Sequence, residues 1–162
     1  DWFQIYFIEN NGMAFGWELG AQYGKMALSI FRLIAVALFF YLIYYLVKKK
    51  VKFGPLLGIS LITAGALGNI IDGMFYGMIF NNPPAPLKAE LVSWGTGYGQ
   101  MMLGRVVDMF YFPLVEWDWP SWLPFVGGDH FIFFSPIFNF ADACISCGVI
   151  ALIIFYNKKM FR

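Results

Sequence analysis

Histidine and cysteine are nearly absent from this chain, with one His and two Cys in 162 residues. A lone His130 excludes zinc held by a histidine cluster. Cys144 and Cys147, three apart, are too few for a disulfide framework. Charge is scarce as well: 13% of the residues, against roughly 25% in a soluble domain. The formal net charge of +1 says nothing about a polyanionic partner, and with no basic stripe no nucleic acid is expected as one. No internal repeat or heptad is visible. What is present is apolar, at 60% hydrophobic and 21% aromatic residues and a mean hydropathy of +0.65. A soluble fold of this size could not bury 19 Phe, 9 Tyr and 6 Trp and still cover itself with polar groups. Disorder and collagen-like repetition are excluded by the same composition. The chain reads as an integral membrane protein, mainly α, forming one domain over residues 1–162.

Three segments are apolar enough to cross a bilayer core, which takes about 20 helical residues. They are expected at about 26–47, 55–76 and 131–156, as a helical bundle of three visible spans. The first is interrupted only by Arg32. KKKVK (48–52) follows it, and NKKMFR (157–162) follows the third. These flanks hold Lys48, Lys49, Lys50, Lys52, Lys158, Lys159 and Arg162, seven of the 11 basic residues, and no acidic one. The positive-inside rule then places both flanks in the cytoplasm and the loop of about 77–130 outside. The segment 1–24 is outside too. The chain starts at Asp1 with no visible leader, so a further N-terminal span, absent from this sequence, is expected.

The outer segments have a character of their own. WFQIYFI (2–8) reads as a strand, and ENNGMAFG after it reads as a turn. The long loop holds NNPPAP (81–86), GTGYG (95–99) and VVDMFYFPLVEWDWPSWLPF (106–125). So many aromatics favour a small β-rich segment folded onto the membrane interface.

A charge inside a membrane helix is expensive and marks a functional site by default. Asp72 lies 20 residues after Lys52, and Asp142 lies 16 before Lys158. At a rise of about 1.5 Å per residue, both carboxylates fall near the outer face. Each has an Asn three residues earlier, in GNIID (68–72) and FNFAD (138–142). That spacing shares a helix face, so two amide–carboxylate pairs are expected to face one polar pocket.

Four segments, NxGxAFG (10–16), AGALGNIID (64–72), GRVVDMF (104–110) and FNFADACI (138–145), resemble successive motifs of the lipoprotein signal peptidases, the signal peptidase II family. They stand in the family's order and span nearly the whole chain. The resemblance implies a four-helix aspartic peptidase of the bacterial cytoplasmic (inner) membrane, with its active site toward the periplasmic face. It implies cleavage of the signal peptide just before the diacylglyceryl-modified Cys of a prolipoprotein. Asp108 and Asp142 then match the catalytic aspartates, while Asn10, Asn69, Asp72 and Asn139 match residues that line or support the site. Gly73 stands where the family usually has Arg, and the link from Asp72 to Asp108 is longer than usual. The charge that replaces this Arg is assigned to Arg105, three residues before Asp108, with Arg32 as the other candidate. The family's first motif belongs to the span that this sequence lacks. No metal and no other cofactor is implied; the partners are prolipoproteins with a lipidated Cys, membrane lipids and globomycin-type inhibitors.

The chemistry is consistent with two aspartates. One carboxylate must be ionised to activate water and the other protonated to polarise the carbonyl; two carboxyls sharing a site titrate as a pair. Other signals carry less. The CxxC of Cys144 and Cys147 sits in a membrane helix and reads as packing, as do GPLLG (54–58) and AGALG (64–68). GTGYG lacks the strand, helix and Lys of a phosphate loop. Lys25 reads as an interfacial anchor, His130 as a loop residue and Arg32 as structural. Two rivals stand beside the peptidase: a non-catalytic membrane protein that binds lipid or peptide, and a transporter subunit with a proton-coupled carboxylate.

Overall fold

The computed structural model describes residues 2–10, 21–84 and 87–155, without the side chains of 21–23. Seven elements follow in order: β1 (Gln4–Asn10), α1 (Ala21–Lys48), α2 (Phe53–Ile79), β2 (Val106–Tyr111), β3 (Val115–Asp118), β4 (His130–Phe133) and α3 (Phe140–Phe155). The chain divides into two compact units. A helical unit comprises Glu9–Val106 and Phe140–Arg162, and a strand unit comprises Asp1–Ile8 and Val107–Asn139.

In the helical unit, α1 and α2 are long and apolar enough to cross a membrane. At about 1.5 Å per residue they are about 40 Å long. They match the first two expected spans. Lys50, at a φ of 53°, closes α1 in the left-handed region. Around it the Val51 N–H donates to the Leu46 carbonyl at 3.1 Å and the Lys50 N–H to that of Val47 at 2.9 Å. This is the paired C-terminal cap that a left-handed residue permits, and it turns the chain straight into α2.

The third expected span is corrected. α3 begins at Phe140, and Phe131–Phe133 belongs to strand β4. The 16 residues of α3 make a shorter apolar helix, about 24 Å at the helical rise. Of the turn expected at 9–16, Glu9 and Asn10 instead end strand β1; its remainder and the tail NKKMFR lie outside the described residues.

α2 is the central helix, packed against α1 and more extensively against α3. Small residues permit the second contact. A Cβ on Gly148 would sit 2.6 Å from the Gly58 carbonyl oxygen, and one on Gly58 would sit 3.0 Å from that of Gly148. With no apolar-to-water transfer inside lipid, such backbone proximity is what drives helices together. GPLLG and AGALG are therefore packing surfaces in the structure.

The loop after α2 folds back onto that helix's last turns. N–H groups of Val92, Gly97, Gly99 and Gly104 donate to the carbonyls of Ile79, Met78, Gly77 and Gly73 at 2.8–3.2 Å. Carbonyls left over at a helix C-terminus are satisfied this way. A Cβ on Gly97 would lie 2.6 Å from the Met78 carbonyl carbon. The glycines of GTGYG serve close backbone approach.

The strand unit holds two two-stranded sheets, β1 with β2 and β3 with β4. β3 and β4 are antiparallel, pairing Val115 with Phe133, Trp117 with Phe131 and Asp118 with His130. Alternation puts Val115, Trp117, Phe131 and Phe133 on one face, where the Trp117 and Phe131 rings lie 4.4 Å apart. Glu116, Asp118 and His130 occupy the other.

Candidate active site

Two aspartates of the expected site each accept an Asn amide, one such pair lying within each unit. Asp108 is the third residue of β2, and all of Val106, Val107 and Asp108 are buried. An antiparallel bridge joins Phe110 to Phe138. In it the Phe110 N–H donates to the Phe138 carbonyl at 2.8 Å, and the Phe138 N–H donates back at 3.1 Å. That bridge brings the next residue, Asn139, opposite Met109 and so within reach of the neighbouring Asp108. The Asn139 Nδ2 donates to Asp108 Oδ1 at 2.9 Å, with the two residues 5% and 6% exposed.

The second pair forms within the helical unit. Asn69, buried on α2, donates from Nδ2 to Asp142 Oδ1 at 2.9 Å. Asp142 occupies the first turn of α3, where the exposed N–H ends of the helix favour a negative charge. Asn69 therefore pairs across α2 and α3 rather than with Asp72, its neighbour in sequence. Asn139 precedes α3, so it cannot share a helix face with Asp142. Beside the i, i+3 spacing read from sequence, each of the two aspartates thus accepts an amide from a residue far off in the chain.

Arg32 on α1 interacts electrostatically with Asp142. It points inward: Val36, one turn on, is 5% exposed, and the Ser29 hydroxyl on the same face donates to the Met102 carbonyl at 3.1 Å. Phe31 and Ile34, on other faces, are exposed. Arg105 has a different partner. Its Nη1 pairs with Glu9 Oε2, and its guanidinium carbon stands 5.3 Å from the Tyr98 ring centroid. Arg105, expected to supply the charge that replaces the family Arg, thus stands beside Glu9 and Tyr98. A Cβ on Gly73 would meet nothing within 4 Å.

Asp72 lies on the last turns of α2, half-buried, and Asn10 is half-buried at the end of β1. Among the described residues no group of three or more His, Cys, Asp and Glu could hold a metal ion, and every buried side-chain polar atom has a hydrogen-bond partner. Cys144 and Cys147 are free thiols on α3.

The family model described as signal peptidase (SPase) II matches residues 1–158. The chain belongs to that family. Relatives agree along nearly the whole length. A lipoprotein signal peptidase of Porphyromonas gingivalis is 53% identical over 160 residues, which cover 98% of this chain and 69% of that protein. One of Amoebophilus asiaticus is 38% identical, covering 95% of this chain and 61% of that protein. A solved bacterial membrane enzyme is similar with a TM-score of 0.48 and 27% identity, over 94% of this chain and 68% of its own. Signal peptidase II membership supports a peptidase role in lipoprotein processing, with prolipoproteins as substrates. The family is membrane-bound, and α1 and α2 fit a membrane.

Sequence reasoning about this signal peptidase II chain missed Glu9 and Tyr98 as partners of Arg105. One signal was available for Glu9, an acidic residue at the end of an otherwise uncharged strand. Arg32, favoured as structural but kept as the other candidate cation, interacts electrostatically with Asp142, in keeping with that second reading.

Proposed function

We propose that the chain cleaves the signal peptide of diacylglyceryl-modified prolipoproteins on the N-terminal side of the lipidated Cys, using Asp108 and Asp142 to activate water. One observation carries this reading. The two aspartates that fall in the family's motifs each accept an Asn amide at 2.9 Å, and Asn139, the partner of Asp108, stands three residues before Asp142 in the chain.

In such a dyad the ionised carboxylate takes a proton from water as the water oxygen attacks the scissile carbonyl carbon. The protonated carboxyl gives its proton to the carbonyl oxygen, forming a gem-diol. On collapse the C–N bond breaks, the carboxyl that received the water proton passes it to the leaving amine of the Cys, and a diol hydroxyl returns its proton to the other carboxylate. Asn69 and Asn139 fix the two carboxylates; Asn10 and Asp72 line the site. The setting is the bacterial inner membrane, with the site toward the periplasmic face, where the substrate's acyl chains remain in lipid and globomycin-type inhibitors bind.

The test is cleavage of a diacylglyceryl-modified prolipoprotein by the chain in proteoliposomes, with products read by mass spectrometry. The wild type releases a product beginning at the lipidated Cys, and Asp108→Asn and Asp142→Asn each slow it about a thousandfold with folding retained. Wild-type cleavage by either variant overturns the dyad. Binding of the precursor by the wild type without cleavage favours a lipid- or peptide-holding protein.

A further inference from the structure

Arg105 stands three residues before Asp108, and its contacts gather three parts of the helical unit at one side chain. Its guanidinium pairs with Glu9 near the end of β1, beside Asn10. It also lies over the ring of Tyr98, and its backbone N–H donates to Tyr98 Oη at 2.9 Å. Tyr98 is itself anchored: its N–H donates to the Phe80 carbonyl at 2.9 Å, and the following Gly99 N–H donates to that of Gly77 at 2.8 Å. Burial pushes the Tyr98 hydroxyl above its ordinary range, so it stays neutral and its oxygen remains an acceptor.

We propose that Glu9, Arg105 and Tyr98 form a positioning clamp that sets how the chain enters β2, and thereby where Asp108 is held. The proposal rests on the reading of Asp108 as one of the catalytic pair. The two residues between the clamp and Asp108, Val106 and Val107, are 5% and 8% exposed. Closely packed side chains leave little slack, so a change of direction at Arg105 is passed on to the carboxylate. The ion pair is partly buried, with the Arg and Glu side chains 33% and 21% exposed, and is therefore screened less than a pair in open water. It also joins residues 96 apart in sequence, and so fixes the end of β1 against the start of its partner strand.

A positioning role differs from a merely structural one in what kinetics report. For cleavage in proteoliposomes, Glu9→Gln and Arg105→Gln are each expected to lower kcat about tenfold, with KM within about twofold. The exchanged pair Glu9→Arg with Arg105→Glu is expected to recover kcat to within about threefold of wild type. Arg105→Lys keeps the charge, and so the fold, but loses the guanidinium plane over Tyr98; a kcat about threefold down with KM unmoved is expected. Normal kcat per folded molecule in these variants, with only a lowered Tm, overturns the proposal. So does a rise in KM at constant kcat, or an exchanged pair no better than the single variants. Asp108→Asn, run alongside, separates the two readings. Activity surviving in Asp108→Asn overturns the catalytic pair itself, whereas an inactive Asp108→Asn beside fully active Glu9→Gln and Arg105→Gln overturns the clamp alone.

Discussion

Asp108 and Asp142 carry the same side chain and accept the same kind of bond, yet they are held by different means. Asp108 sits on a strand of the strand unit and is almost fully buried, with its amide partner delivered by a one-residue β-bridge. Asp142 sits in the first turn of a helix and is half-buried, with an amide from α2, a cation on α1 and its own helix terminus around it. The first is thus enclosed by packing, and the second stands in a more open, charged setting. In the proposed dyad the two carboxyls play unequal parts, and unequal surroundings are how proteins arrange this.

The amides offer a way to break that comparison. Asn139→Leu removes a donor from a carboxylate with little access to water, and a loss of about 3 kcal/mol in stability is expected. Asn69→Leu leaves Asp142 with Arg32 and the α3 terminus, and about 1 kcal/mol is expected. Chemical denaturation in detergent of both variants checks the order. Equal losses would mean that the two carboxylates are held alike.

How much of this was legible beforehand depends on range. α1 and α2 were readable because an apolar run of that length has few alternatives. The start of α3 was not, since Phe131–Phe140 is as apolar in a strand as in a helix. Pro136 and Asn139 were the available signals, because proline disfavours helix before it and asparagine commonly precedes a helix start. The strand expected at 2–8 appears at Gln4–Asn10, within the usual drift of element ends. In the site, the residue types were readable and the pairings were not. Asn69 and Asp142 are 73 apart, Arg105 and Glu9 96 apart, and local spacing carries no trace of either contact.

A third carboxylate in the strand unit sharpens the contrast because it is exposed. Asp118 lies 2.7 Å from His130 Nδ1 across β3 and β4, and Glu116 lies 3.7 Å from Nε2. The hydrogen bond to Asp118 raises the His130 pKa above its ordinary 6.5. A group raised in the folded state contributes stability that is fully present below the unfolded value and lost as pH rises through the folded one. The β3–β4 pairing is therefore expected to loosen slightly as pH is raised from 6.5, far less than either Asn variant loosens its own unit. An NMR titration of His130 is expected to show a midpoint above 6.5, falling back in Asp118→Asn. A midpoint unmoved by Asp118→Asn would contradict the pairing.

The unequal holding of two aspartates matters only if they work as one device, and a double-substitution cycle on cleavage tests that most directly. Asp108→Asn, Asp142→Asn and the combined variant are compared by kcat/KM on one diacylglyceryl-modified prolipoprotein. The expected result is that the combined variant loses no more than either single one, because removing one member of a catalytic unit already disables the other. Losses that multiply, or a single variant that still cleaves at the wild-type rate, would contradict a shared water-activating pair.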